Sequence, residues 1–308
     1  MAHQHAHGPA EGAGRKLRAA FFLTLVILAV EVAGGILGNS LALFSDAGHV
    51  LTDVFALGMA WFAAIQAQRP PTERHTFGYH RVGILAALAN ALLLFGVVGF
   101  IVYEAVGRLR HPEAVQGLYM FLAAGVGILV NSYIGMGLRT EQQNLNVRSA
   151  LMHVLGDTAA AGGVVVAGLI ITYTAWYPAD ALVSVLIAAL IAFSAWNIVR
   201  ETVAILLEST PPGVNTSELI RAVLRVPGVQ DIHDLHIWGI TPQMPALACH
   251  LLLDDQMLSE SERIVGQVRQ VLEHDFGIEH TTLQLECRGC GVDSVFCAWR
   301  AGSGAHNG

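Results

Sequence analysis

This chain is poor in charge. Only 13% of its 308 residues are Asp, Glu, Lys or Arg, against 54% hydrophobic. That balance excludes an ordinary soluble domain and is the composition of a membrane protein. Cysteine is scarce as well, and Cys249, Cys287, Cys290 and Cys297 all fall near the C-terminal end. That placement does not build a secreted disulfide framework. The Cys287-x-x-Cys290 spacing fits thiols in a reducing compartment. A basic excess is missing too. The net charge of −7 argues against nucleic acid as a partner. No solenoid-length repeat occurs. The first apolar run lacks a small-residue cleavage pattern and is long enough to span, so it reads as a membrane helix and not a signal peptide.

Long apolar runs are what the chain does have. A span needs about 20 mostly apolar residues. Six runs qualify, at residues 19–38, 41–66, 82–107, 115–138, 147–174 and 180–206. Gly34, Gly35 and Gly38 are expected to end the first, and Asn39-Ser40 makes a short link to the second. Pro70-Pro71, His111-Pro112, Tyr177-Pro178 and Pro211-Pro212 mark further boundaries, because proline lacks a donor and restricts the residue before it. Asp180 reads as the N-cap of the sixth helix. With the N-terminus inside, Arg15, Lys16, Arg18, Arg69, Arg74, Arg81, Arg139, Arg148 and Arg200 lie on the inner side and only Arg108 and Arg110 on the outer. The positive-inside rule therefore puts both termini in the cytoplasm, with a bacterial inner membrane as the expected location.

The expected organisation is a cytoplasmic tail with His3, His5 and His7 (1–16), an all-α six-helix membrane bundle (17–208), a cytoplasmic domain (209–297) and a disordered tail (298–308). Within the third part, residues 216–226 read as helix, 229–240 and 246–253 as strands, 259–275 as helix and 281–286 as strand. Ser259, with Glu262 three residues on, reads as that helix's N-cap. Helix, two strands, helix, strand predicts an α/β open-faced sandwich of ferredoxin-like type.

Two units inside the apolar runs carry chemistry: His49-Val-Leu-Thr-Asp53 and His153-Val-Leu-Gly-Asp157. Residues at i and i+4 share a helix face. Ionisable groups in a span are costly and need partners there. A lone helical His is more often a hydrogen-bonded core residue than a ligand. Two identical pairs reverse that weighting, since two imidazoles and two carboxylates make a tetrahedral set suited to zinc. Asp46 lies on a neighbouring face, as an acceptor behind the ligands or an entry-path residue. Glu31 either draws cations or makes an interhelical hydrogen bond. Gly162, Gly163 and Gly168 allow close helix approach, with or without sliding.

The stretches Glu31-Val-Ala-Gly-Gly, Asn39 through Asp53, Phe77-Gly-Tyr-His-Arg81, Asn146 through Asp157 and His233-Asp-Leu-His236-Ile-Trp238 resemble the cation diffusion facilitator family. The paired His-x-x-x-Asp form is similar to its zinc-transporting branch. The resemblance implies a homodimer, six spans per protomer, and export of zinc, with cadmium or cobalt as further substrates, against protons. His49, Asp53, His153 and Asp157 are then the transport ligands. It also implies a cytoplasmic metal site at His233, His250, His280 and Glu286, with zinc as regulatory ligand. His233 and His236 lie on opposite faces of a strand and share a site only across a bulge. Cys287 and Cys290, with Cys297, form either an extra metal site or plain thiols. Many relatives carry a His-rich loop between spans four and five, whereas 139–148 has no His, leaving capture to His3, His5 and His7. Two rival readings are a zinc sensor and a membrane-embedded metallohydrolase. The second lacks His-Glu-x-x-His and, with four ligands on the metal, an open position for water.

Overall fold

The structure is a computed structural model that describes residues 10–138, 145–288 and 295. Six long helices come first: α1 (Ala10–Gly38), α2 (Leu41–Ala67), α3 (Val82–Arg110), α4 (Gly117–Leu138), α5 (Leu145–Thr174) and α6 (Pro178–Leu206). Each contains a stretch long and apolar enough to cross a bilayer. The chain divides into two compact units. One holds the helices through Ile65 and Leu85–Val199, and the other holds Gln66–Ile84 and the residues from Arg200 on.

In the first unit, α4 runs close against both α1 and α5. Glycine makes this approach possible. A Cβ on Gly34 of α1 would stand 2.6 Å from Ala123 Cβ of α4. A Cβ on Gly117 of α4 would stand 2.3 Å from the Gly168 carbonyl oxygen of α5. Of the three glycines expected to end α1, Gly38 is its last residue, whereas Gly34 and Gly35 sit within it. Gly34 and Gly38 both seat α4. Asn39 then turns the chain, with φ 50°, a left-handed conformation that Asn tolerates better than most residues. Gly162, by contrast, has open space where its Cβ would be, and only Gly168 of the pair serves contact with α4.

Pro178 is the first residue of α6, where its missing N–H removes no intrahelical bond. Asp180 does not cap α6. Its carboxylate accepts from the amides of Leu41 (2.7 Å) and Ala42 (3.1 Å), so it caps the start of α2 from another helix.

The second unit contains α7 (Thr216–Leu224), β1 (Val229–Thr241), β2 (Met244–Leu253), α8 (Leu258–Phe276) and β3 (His280–Glu286). The sheet order is β1-β2-β3. β1 and β2 pair antiparallel, whereas β2 and β3 pair parallel, with α8 as the crossover that a parallel pair requires. Leu219 and Val223 of α7 and Ile264, Val268 and Leu272 of α8 join Ile232, Leu247 and Leu251 of the strands in one apolar cluster. Burial of each such side chain contributes roughly 1.5–3 kcal/mol. Asn215 caps α7, its Oδ1 accepting from the amides of Ser217 and Glu218. Ser259 does not cap α8. The helix begins earlier, with Met257 at the cap and no side-chain bond there. Gly277, at φ 66°, ends it.

The glycine contact is testable. Gly168→Ala drives a methyl to 2.9 Å from the Gly117 carbonyl oxygen and 3.0 Å from Met120 Cβ. It should cost about 1–3 kcal/mol by overpacking, despite the gain in helix propensity. Gly162→Ala meets nothing within 4 Å and should be neutral or mildly stabilising. Heat-unfolding midpoints in detergent read both, and an undiminished midpoint for Gly168→Ala would refute the close α4–α5 approach.

Candidate metal centres

The first centre starts from the i, i+4 spacing on α2. His49 and Asp53 stack one turn apart, with His49 Nε2 3.7 Å from Asp53 Oδ2. Asp157 of α5 reaches the same imidazole, its Oδ1 3.4 Å from His49 Nε2. One ligand atom from each of His49, Asp53 and Asp157 lies within 4.8 Å of the others. All three are partly accessible. His153 lies on α5, one turn before Asp157, and its side chain is outside the described residues. Thr52 Oγ donates to the His49 carbonyl (2.6 Å) and Thr158 Oγ to the Val154 carbonyl (2.7 Å), so hydroxyls bond back into both helices beside the cluster.

Asp46 of α2 and Glu31 of α1 are both buried.

The second centre belongs to the small sheet. His233 of β1 and His250 of β2 are direct partners in the antiparallel register. Glu286 of β3 pairs with Leu252, close enough for its carboxylate to reach both rings. Its Oε2 is 3.1 Å from His233 Nε2 and its Oε1 3.0 Å from His250 Nδ1. The three form one group with ligand atoms within 4.8 Å. Desolvation alone would raise the Glu286 pKa. The Gln284 amide (2.9 Å) and the two histidines outweigh it and hold the carboxyl below the usual range. These partners favour the ionised carboxylate.

The other predicted residues fall differently. His280 pairs with Ala246, four positions along β3 from Gln284, the partner of His250. Four residues of strand are about 13 Å. His280 therefore stands away from the group and packs on Phe77, ring centroids 5.5 Å apart. His236 stays outside, exposed, paired with Asp234 at 3.2 Å. Cys249 is buried in the apolar cluster, and burial pushes its thiol up to about 12, which keeps it protonated and inert. Cys287 is exposed, and Cys290, Cys297, His3, His5 and His7 lie outside the described residues.

Comparison with known proteins gives the chain a family. Residues 17–207 match the family model described as the cation efflux transmembrane domain. Residues 211–287 match the model for the cytoplasmic domain of cation efflux proteins. The chain belongs to the cation efflux family. It is 39% identical over 297 residues to the zinc transporter ZitB of Escherichia coli (strain K12), covering 94% of each chain. It is 39% identical over 285 residues to the cadmium, cobalt and zinc/H(+)-K(+) antiporter of Bacillus subtilis (strain 168), covering 91% of each. To the metal cation efflux system protein CzcD of Cupriavidus metallidurans it is 38% identical over 288 residues, covering 93% of this chain and 90% of that one. It is an integral membrane transporter of divalent cations in the zinc branch of the cation diffusion facilitators, and not an enzyme.

One residue of this cation efflux protein escaped the sequence reading. Asp234 Oδ2 lies 3.4 Å from His250 Nε2. Plain strand alternation would aim Asp234 away from His233. A break in register between His233 and His236, with Asp234 at φ 48°, turns it back. The signal available was the pair of histidines at an odd spacing, which requires such a bulge if both flank one site.

Two histidines of the predicted set, His250 and His280, separate cleanly by experiment. In full-length protein with Asp157→Ala silencing the membrane centre, His250→Ala should weaken zinc binding by at least the 10–100-fold that loss of an outer partner costs at metal sites. His280→Ala should change it less than twofold. Titration calorimetry distinguishes the two, and equal losses would place His280 in the site.

Proposed function

We propose that this protein exports zinc from the cytoplasm in exchange for protons, through His49, Asp53, His153 and Asp157. The observation that carries the reading is the convergence of His49, Asp53 and Asp157 from two different membrane helices on one point. Imidazole with carboxylate suits zinc, and also cadmium and cobalt. A resident ion would neutralise the carboxylates in a medium that solvates neither.

Coupling follows from ligand chemistry. Zinc binds neutral imidazole and ionised carboxylate, so metal and proton compete for the same atoms. With the site open to the cytoplasm, zinc displaces protons. With the site open outward, protons displace zinc. Histidine is suited to that exchange because its ordinary titration range is close to neutral. Both termini lie in the cytoplasm on this reading, and the protein works as a homodimer, as the family resemblance implies. The group at His233, His250 and Glu286 lies outside the spans and cannot carry metal across. Zinc there neutralises acidic charge on the cytoplasmic domain and acts as a regulatory ligand.

Proteoliposomes test the whole reading. Zinc uptake into vesicles with an acidic lumen should exceed uptake without a gradient and collapse with a protonophore. Asp157→Ala should lower it to a few per cent or less while the protein still inserts and purifies as wild type. His49→Asp exchanges nitrogen for oxygen and should shift metal preference away from zinc toward harder cations such as manganese. Full flux in Asp157→Ala protein would refute the site.

A further inference from the structure

At one end of the bundle, a single buried carboxylate gathers the start of α2. Asp180 of α6 is 1% exposed. Its Oδ1 accepts from Ser40 Oγ at 2.6 Å and from the Ala42 amide, and its Oδ2 accepts from the Leu41 amide. Ser40 Oγ accepts in turn from the Leu43 amide at 3.2 Å. The first three amides of α2, which no intrahelical carbonyl can reach, are thus all satisfied. The negative charge also stands at the positive end of the α2 dipole.

Arg108, in the last turn of α3, extends the joint. It donates to the Asn39 carbonyl at 2.6 Å and lies 3.6 Å from Asp180 Oδ2 and 3.2 Å from Glu104 Oε1. Asn39 donates to Glu113 and to the Ala114 carbonyl, ahead of α4.

The metal ligands of α2 begin eight residues beyond this joint, about 12 Å along the axis. Among the described residues, the closest flank-to-flank approaches in the bundle are α4 with α5 and α1 with α4, and α2 is in neither pair. Its flank does meet α3 where Gly48 faces Val97 and α1 where Phe44 faces Gly35. Its rotation about its own axis is set most directly where its end is bonded. A turn of about 20° moves a ligand atom roughly 6 Å off the axis by about 2 Å. Zinc sites tolerate about 0.2 Å.

We infer that Asp180 is a positioning residue for metal transport: by capping α2 from α6 it fixes the rotation of the helix that carries His49 and Asp53. The inference rests on the transport site proposed above. Asp180→Asn leaves one oxygen to serve Ser40 and Ala42 and turns an NH2 toward the Leu41 amide and Arg108, so the end of α2 must shift. The zinc concentration for half-maximal flux should rise about tenfold in Asp180→Asn proteoliposomes, with a smaller fall in maximal rate per folded molecule. Ser40→Ala removes the hydroxyl that donates to Asp180 and accepts from Leu43 and should raise it about threefold, whereas Ser40→Thr keeps the hydroxyl and should restore it. A merely structural role would lower the folded yield and leave half-saturation where it was. Zinc affinity of the purified full chain, taken as the component of binding absent from Asp157→Ala protein, gives the same comparison without flux. Unchanged half-saturation and affinity in folded Asp180→Asn and Ser40→Ala would overturn the inference. Full flux in the Asp157→Ala control would instead overturn the site on which it rests.

Discussion

An ionised side chain inside hydrocarbon must be neutralised locally, and the polar architecture of the membrane part follows from that. Two solutions occur side by side. Asp180 is held by two backbone amides, a hydroxyl and an arginine. Asp53 and Asp157 instead face an imidazole that can share a metal with them. The first solution is permanent because its partners are fixed donors. The last is exchangeable, because imidazole and carboxylate accept either a proton or a cation. A transporter needs the exchangeable kind at its centre and the permanent kind where its helices are joined.

The two helices that bear the proposed metal ligands are held by different means. α5, which carries Asp157, is packed along α4 through Gly117 and Gly168, where backbone nearly touches side chain. Contact of that kind is dense and stiff. α2, which carries His49 and Asp53, is bonded at its end to α6. One ligand set thus joins a helix fixed along its flank to a helix fixed at its tip.

The cytoplasmic domain follows soluble-protein rules. Its apolar cluster joins the strands to the two helices, and its polar group draws one residue from each of the three strands. Glu286 serves both His233 and His250, and the amide of Gln284 steadies the carboxylate. The bulge in β1 adds Asp234 behind His250, an acceptor of the kind that orients histidine ligands in metal sites.

Much of this was legible in the sequence because it is local. Apolar runs punctuated by proline mark the six helices, and the strand and helix pattern of the C-terminal domain reads to within a few residues. The spacing of His49 and Asp53 puts them on one face, since 3.6 residues per turn is a property of the helix alone. Tertiary structure decided the rest. Which carboxylate meets His49 depends on how α5 stands beside α2. Asp180 looked like the cap of its own helix and caps another, because a helix start needs acceptors and does not specify their source. Gly34 looked like a terminator and is a contact, since small size serves either end. His280 looked like a ligand and is removed by the parallel register of β2 and β3. Periodicity encodes where a side chain points along its own element; rotation and register between elements are set by non-local packing, and there the candidate metal centres are made.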